Sequence, residues 1–111
     1  MKVIAIDFDG TITHNTPYPQ RADIREEAKK YIPLLYKQGY KLVLWTARTT
    51  KYYNEVISRL KEENLFQYFT FDDVVVGFSG KIEADFYIDD KSYLGELDWK
   101  TIYEYIINNI K

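Results

Sequence analysis

Short apolar runs that end in polar residues alternate along this chain with segments of helical periodicity. The apolar runs predict four buried strands, at residues 2–7, 40–45, 74–76 and 84–88. The periodic segments predict three amphipathic helices, at residues 24–38, 50–64 and 99–110. Because strands alternate with helices, the pattern indicates βαβ units and a parallel sheet with helices on its faces.

Glycine and proline refine these boundaries. Gly39 follows the first predicted helix, at a position where glycine commonly ends a helix. Pro33 lies within that helix and predicts a break or kink, because proline removes a backbone hydrogen bond. Two longer loops are predicted, at residues 9–21 and at the aromatic residues 65–71.

Composition is typical of a globular protein with one domain. The 111 residues suffice for a single core, so residues 1–111 are predicted to form one domain. A hydrophobic fraction of 46% and a charged fraction of 29% exclude a disordered chain. The net charge of -2 provides no general attraction to nucleic acids or anionic membranes, and no apolar run is long enough for a membrane span. We therefore expect a cytoplasmic protein.

Polar residues follow three of the predicted strands at the point where each strand ends. Asp7 and Asp9 come at the end of the first strand, Thr46 follows the second, and Asp89 and Asp90 follow the fourth. In an open parallel sheet, ligands bind beyond the carboxyl ends of the strands. We therefore expect these residues to gather at one edge of the sheet.

Asp7, Asp9 and Gly10 form a compact acidic motif. Side chains alternate along an extended backbone, so the two carboxylates can point to the same side. Their mutual repulsion favours a bound divalent cation, and oxygen ligands favour Mg²⁺. Gly10 allows the backbone to turn and to offer its N–H group to an anion. An Asx-type turn with glycine after a strand explains this motif equally well.

The remaining polar residues support a catalytic site only as a group. Taken singly, Thr46 is more often a helix cap, Lys81 an exposed lysine, and the pair Asp89–Asp90 a solvated turn. Together with Asp7 and Asp9, these residues form a set that suits binding and transfer of a phosphoryl group. A metal ion and an ammonium group would offset its charge, while one carboxylate acts as the nucleophile.

Four segments resemble the signature motifs of the haloacid dehalogenase superfamily. The string DFDGTI at residues 7–12 resembles the first motif, and LWTAR at residues 44–48, with Thr46, resembles the second. Lys81 in the string GKIEADFYIDD resembles the third motif, and Asp89–Asp90 resembles the acidic fourth. The resemblance implies a minimal three-layer, Rossmann-like α/β fold without a cap domain. It also implies a Mg²⁺-dependent phosphatase.

The resemblance further implies a role for each acidic residue. Asp7 would be the nucleophile that accepts the phosphoryl group, and Asp9 would act first as general acid and then as general base. Mg²⁺ would be held by Asp7, by the backbone carbonyl of Asp9 and by Asp89, with Asp90 bound directly or through water. Asp9 favours a phosphatase, because dehalogenases and ion pumps of this superfamily lack an acid two residues after the nucleophile.

Other groups are implied to hold the phosphoryl oxygens. Thr46 and the N–H group of Gly10 would bind these oxygens, and Lys81 would steady both Asp7 and the phosphate. Arg48 lies two residues after Thr46. It either reaches a substrate anion or caps the next helix, and the sequence favours neither.

The chain departs from larger relatives in ways that bear on its substrate. Ile82 follows Lys81, where many relatives have proline, and neither interval between the motifs has room for a cap domain. A site without a cap domain is open. It can admit a large substrate, or a second subunit can cover it. We expect contact with either at residues 13–20 and at the exposed aromatic residues 65–71. His14 lies in the first of these segments, although a surface histidine without a role is slightly favoured.

Functions of other classes stay open. A response-regulator receiver domain also uses an acidic pair, a threonine and a lysine, but in a different order along the chain. A phosphate-binding module without activity would leave some catalytic position unfilled, whereas here every one is filled. Among phosphatases, a small phosphorylated substrate is favoured, with a nucleic-acid end or a phosphoprotein as the alternative. A homo-oligomer is compatible with either, and no membrane partner is expected.

Overall fold

A parallel sheet forms the centre of the molecule. The computed structural model describes residues 2–14, 23–46, 50–76, 84–89 and 97–111. Its strands in these ranges are β1 (Val3–Asp7), β2 (Lys41–Thr46), β3 (Phe69–Val76) and β4 (Phe86–Ile88). They pair in parallel in the order β3-β2-β1-β4, which confirms the predicted α/β fold class.

β1 lies between β2 and β4 and carries the centre of the core. Ile4 and Ile6 point to the same face, because side chains alternate along a strand. Their register partners on the neighbouring strands include Leu42, Leu44 and Ile88. All five side chains are almost completely buried. Burial on this scale explains why the strands read as continuous apolar runs in the sequence.

Three helices pack against the sheet. They are α1 (Glu26–Lys37), α2 (Thr50–Glu62) and α3 (Trp99–Asn109), and a single 3₁₀ turn spans Phe66–Tyr68. Each helix contributes buried apolar side chains to the cluster around β1, among them Ala28, Ile32, Leu35, Val56, Leu60, Ile102 and Ile106. In the ranges that the structure describes, no helix is long and apolar enough to cross a membrane.

α1 continues through its proline. Pro33 lies inside the helix, which runs without a break to Lys37, so proline does not interrupt the helix here. Ile32 and Leu35, on either side of the proline, are completely buried. Their packing against the sheet holds the helix in place despite the lost backbone bond, as tertiary contacts often override local preference.

Glycine ends α1 as predicted. Gly39 has a φ of 96°, a backbone conformation that residues with a side chain rarely adopt. Its N–H group donates to the carbonyl of Tyr36 at 3.0 Å, and the N–H group of Tyr40 donates to Leu35 at 3.3 Å. These bonds satisfy carbonyl groups at the end of the helix and lead the chain into β2.

The aromatic residues 65–71 do not form the exposed loop that the sequence predicted. Leu65 and Phe69 are only 1% and 8% exposed, and Phe66 and Tyr68 pack against the core. β3 begins at Phe69, five residues earlier than expected, because Phe69 pairs with Leu42 of β2. The side chains of Phe66, Tyr68 and Phe69 therefore help to close the core, and contact of this segment with a substrate or a partner stays a prediction.

α3 is capped at its start by Asp98. Its carboxylate accepts hydrogen bonds from the hydroxyl of Thr101 at 2.8 Å and from the N–H groups of Lys100 and Thr101. These bonds, chiefly those from Thr101, lower the pKa of Asp98. Because this pKa is lowered, the charged cap stabilises the fold fully at pH values above the pKa that Asp98 has in the unfolded chain. This contribution is lost as the pH falls through the folded pKa.

Trp99 joins α3 to the segment that follows β1. Its side chain is completely buried, and the indole N–H group donates to the backbone carbonyl of Thr11 at 2.9 Å. Its own backbone N–H group donates to the carboxylate of Glu27 at 3.0 Å. The last helix, the first helix and the chain beyond β1 therefore meet at this one residue.

The indole bond should be measurable as stability. We expect Trp99→Phe to lower the free energy of unfolding by about 2 to 4 kcal/mol, because it shrinks a buried side chain and leaves the carbonyl of Thr11 without its donor. Urea unfolding followed by circular dichroism measures the change. Tyr105→Phe on the same helix is the control, since Tyr105 is 50% exposed. Equal stability of the two variants would contradict this role of Trp99.

Candidate active site

The carboxyl ends of β1, β2 and β4 lie at one edge of the sheet. Asp7 is the last residue of β1 and pairs with Trp45, so Thr46 lies one position further on at the end of β2. Ile6 pairs with Ile88 of β4, so Asp89 comes next to Asp7 across the strand pair. Neighbouring strands are about 4.8 Å apart. The structure therefore brings these three backbone positions together, as the sequence pattern required.

The chain turns sharply after β1. The carbonyl of Phe8, whose side chain is completely buried, accepts three backbone N–H groups in succession. The donors are Thr11, Ile12 and Thr13, at 3.3, 3.0 and 3.1 Å. We call residues Phe8–Thr13 the catalytic turn, because they include Asp9, the residue expected to act as general acid and base. Phe8 packs into the core, and this packing ties the turn to the sheet.

Asp9 lies on this turn and not on a continued strand. The predicted extended backbone through Asp7 and Asp9 is not formed, because β1 ends at Asp7. Gly10 has a φ of 80°, which allows the chain to reverse directly after Asp9. As a result Asp7 is half-buried and Asp9 is exposed. Asp9 is therefore in greater contact with water than Asp7.

Thr13 organises the inside of the catalytic turn. Its hydroxyl accepts the N–H group of Gly10 at 3.1 Å and lies 3.5 Å from the carbonyl of Phe8, and the residue is 2% exposed. The N–H group of Gly10, predicted to bind a phosphoryl oxygen, is thus bonded to a hydroxyl in this structure. A phosphoryl oxygen that used it would have to share or replace that bond. The hydroxyl of Thr11 lies 3.5 Å from Oδ2 of Asp7.

Arg25 connects the catalytic turn to the start of α1. Its guanidinium donates from Nε to the carbonyl of Thr13 at 3.0 Å and from Nη2 to the carbonyl of Gly10 at 3.1 Å. Its backbone N–H group donates to the carbonyl of Ile12 at 2.8 Å. One residue thereby binds three carbonyl groups of the turn.

The chain leaves and rejoins the turn in antiparallel fashion. Thr13 forms an isolated bridge with Ile24, and the N–H group of His14 donates to the carbonyl of Asp23 at 2.9 Å. His14 is exposed. The residues between, 15–22, lie outside the described ranges, so the expected substrate contact of residues 13–20 stays a prediction.

Sequence reasoning missed Thr13, Arg25 and Trp99. Only Thr13 had a local signal in the sequence, because Thr11 and Thr13 place polar side chains on either side of Ile12. All three residues are buried. Arg25 and Trp99 carry no such signal. Their partners lie 12 to 15 and 88 residues away along the chain.

The donor atoms at this edge suit a hard divalent cation. In the expected ligand set, Asp7 and Asp89 would contribute carboxylates and Asp9 its carbonyl, so every donor would be oxygen. Among the described residues, no three acidic or histidine side chains gather closely enough to form a metal cluster by themselves. Asp90, the further carboxylate in the expected set, lies outside those residues. The chemistry of the set therefore fits Mg²⁺.

Several expected site residues also lie outside the described ranges. They are Arg48, Lys81 and Asp90. For Thr46 the structure describes the backbone position at the end of β2. The roles of these four side chains accordingly stay predictions.

Comparison with known proteins places this geometry in a family. A model of the haloacid dehalogenase-like hydrolases matches residues 4–109. A conserved protein of Bacteroides thetaiotaomicron has a similar structure, with a TM-score of 0.76 and 31% sequence identity; the match covers 99% of this chain and 92% of that one. A protein of Vibrio cholerae, with a TM-score of 0.52, 22% identity and coverage of 94% and 98%, shares the fold.

No protein of curated function matches the chain. The family model nevertheless spans nearly its whole length, and the expected resemblance is thereby confirmed. This protein belongs to the haloacid dehalogenase-like hydrolases.

Proposed function

We propose that this hydrolase is a Mg²⁺-dependent phosphomonoesterase that works through an aspartyl-phosphate on Asp7. The observation that carries the proposal is the register of β1 with β4, which sets Asp7 beside Asp89 at the open edge of the sheet. Asp9 follows on the catalytic turn and is exposed, so it can meet a leaving group or water. Family membership supplies the reaction class.

The first step transfers the phosphoryl group to the enzyme. A carboxylate oxygen of Asp7 attacks phosphorus, and the bond between phosphorus and the leaving oxygen breaks. Asp9 gives its proton to that oxygen as the bond breaks. The half-buried position of Asp7 suits a nucleophile, because partial removal from water weakens its hydration.

The second step hydrolyses the acyl phosphate. Asp9, now a carboxylate, takes a proton from water, and the water oxygen attacks phosphorus. The bond between phosphorus and Asp7 breaks, which restores the carboxylate and releases inorganic phosphate. The same exposed side chain serves in both steps because each needs a proton carrier at the solvent side of Asp7.

The cation and the phosphoryl oxygens require further ligands. Asp7, Asp89 and the carbonyl of Asp9 would hold Mg²⁺, with Asp90 bound directly or through water. When bound, the cation supplies charge neutralisation for the phosphoryl group. We propose that four further residues bind the phosphoryl oxygens, namely Gly10, Thr46, Arg48 and Lys81.

The substrate is proposed to be a small phosphomonoester. In the described residues, the chain between β2 and β3 forms only α2 and the 3₁₀ turn, which together are too short for a separate cap domain. An open site admits large substrates, but the net charge of -2 gives a polyanion no general attraction. A second subunit could cover the site, so a homo-oligomer is compatible with this substrate class.

Metal dependence gives the first test. We expect hydrolysis of 4-nitrophenyl phosphate to require Mg²⁺ and to stop in excess chelator. Asp89→Asn should raise the Mg²⁺ concentration for half-maximal rate by about tenfold or more, since it removes an anionic ligand. Glu104→Gln, which removes an exposed carboxylate from α3, should leave it unchanged. Full activity in chelator would contradict the proposed mechanism.

The two carboxylates of the first motif should differ in effect. Asp7→Asn is expected to abolish turnover, because an amide cannot act as the nucleophile. Asp9→Asn should slow turnover by about 10² to 10⁴, the usual range for loss of general acid–base catalysis. A beryllium fluoride adduct, located by crystallography, should form on Asp7. An adduct on Asp89 or Asp90 instead would favour the receiver-like alternative.

Substrate class can be decided by a panel. We expect kcat/KM for small phosphomonoesters to exceed that for 5′- or 3′-phosphorylated oligonucleotides and for phosphopeptides. The physical reason is the absence of a net positive charge that would attract a polyanion. Activity confined to oligonucleotide ends, with a monomer in sedimentation analysis, would overturn the choice of a small substrate.

A further inference from the structure

Asp9 lies on the catalytic turn, so the conformation of this backbone sets where its side chain begins. Asp9 is exposed, so burial of its own side chain does not fix its direction. Phe8 on one side is anchored in the core, and Gly10 on the other side can adopt many backbone conformations. Whatever holds the peptide groups around Gly10 therefore holds Asp9 as well.

Arg25 restrains those peptide groups directly. Nη2 binds the carbonyl of Gly10 and Nε binds the carbonyl of Thr13, so the planar guanidinium spans the turn from its middle to its end. Each peptide unit is rigid, so a fixed carbonyl also fixes the N–H group of the next residue. Hydrogen bonds from a charged donor are about twice as strong as neutral ones.

The same residue is poorly suited to its place in α1. Arg25 occupies the N-cap position of the helix, where its side chain makes no capping hydrogen bond. A positive charge at a helix N-terminus is unfavourable, because it opposes the helix dipole. Within the described part of the chain, Arg25 has no carboxylate partner in an ion pair either. Its favourable interactions lie in the catalytic turn.

We infer that Arg25 is a positioning residue for the hydrolytic reaction, one that holds Asp9 in place through the carbonyls of Gly10 and Thr13. The inference rests on the proposed function, because it assigns Asp9 the proton transfers. Arg25 does not touch the reacting atoms in this role. It acts by restricting the motion of the turn, so that the carboxyl group of Asp9 is already in position to protonate the leaving oxygen.

Leaving groups of different basicity separate this role from a purely structural one. Phenolate needs a proton as it departs, whereas 2,4-dinitrophenolate leaves readily without one. A misplaced general acid therefore slows the first step for phenyl phosphate much more than for 2,4-dinitrophenyl phosphate. A variant that is merely less stable loses the same fraction of active molecules with both substrates.

The experiment compares kcat/KM of Arg25→Gln and wild type on the two esters at saturating Mg²⁺. We expect a loss of about 10- to 10²-fold on phenyl phosphate, as displacement of a catalytic group by about an ångström can cause, and little loss on the dinitrophenyl ester. Asp9→Asn should show the same pattern. The double variant should be no slower than Asp9→Asn within about twofold, because the two residues act as one unit.

Lys37→Gln is the matched control, since Lys37 is an exposed cation at the other end of α1 and should leave both rates unchanged. Arg25→Lys, which can keep one of the two bonds, should fall between wild type and Arg25→Gln, and it replaces Arg25→Gln if that variant does not fold. Equal losses on the two esters, or none, overturn the inference.

Hydrogen exchange distinguishes failure of the inference from failure of the proposed function. Amide exchange at residues 9–13 should be faster in Arg25→Gln or Arg25→Lys than in Lys37→Gln, whatever the activity. A wild-type protein inactive on both esters, with this faster exchange, would contradict the phosphatase proposal but not the restraint of the turn. Unchanged exchange would show that Arg25 does not hold the turn.

Discussion

Three backbone N–H groups converge on the carbonyl of Phe8 immediately after the strand that carries Asp7. This reversal is a strict requirement, because β1 is bonded on both sides and the chain must leave the sheet without unpaired polar groups in a buried segment. The N–H groups of residues 10–13 are satisfied within the turn. The carbonyls of the same four residues are satisfied from outside, by Arg25 and Trp99. The catalytic turn is thus completed only when the first and last helices pack.

The sheet and its functional edge could be predicted because their signals are local. Each strand is a short apolar run, and a polar residue such as Asp7 or Asp89 marks its end. Parallel pairing then follows from the alternation with helices. Gly39 was predictable for the same reason, since a C-cap depends on a backbone conformation that glycine favours. These features need no knowledge of distant contacts.

The features that sequence reasoning missed depend on such contacts. Pro33 lowers local helix preference, yet burial of Ile32 and Leu35 maintains α1. Residues 65–71 do not form the predicted loop, because Phe69 pairs with Leu42 of β2 and starts the strand there. Arg25 and Trp99 act over 12 to 15 and 88 residues along the chain, and neither shows its partner in the neighbouring sequence.

The way in which Arg25 is bonded reconciles two demands on the site. A guanidinium near acidic residues would ordinarily form a two-point ion pair with a carboxylate, and such a pair would occupy the oxygens of Asp7 or Asp9 that must react. Arg25 donates to the carbonyls of the turn instead. Its positive charge stays beside the acidic edge while the carboxylate oxygens are not engaged by it. A hydrophobic side chain in place of Arg25 could not donate hydrogen bonds to the carbonyls. An acidic side chain there would repel the carboxylates of Asp7 and Asp9. The residue therefore restrains the turn without taking the place of the cation or the substrate.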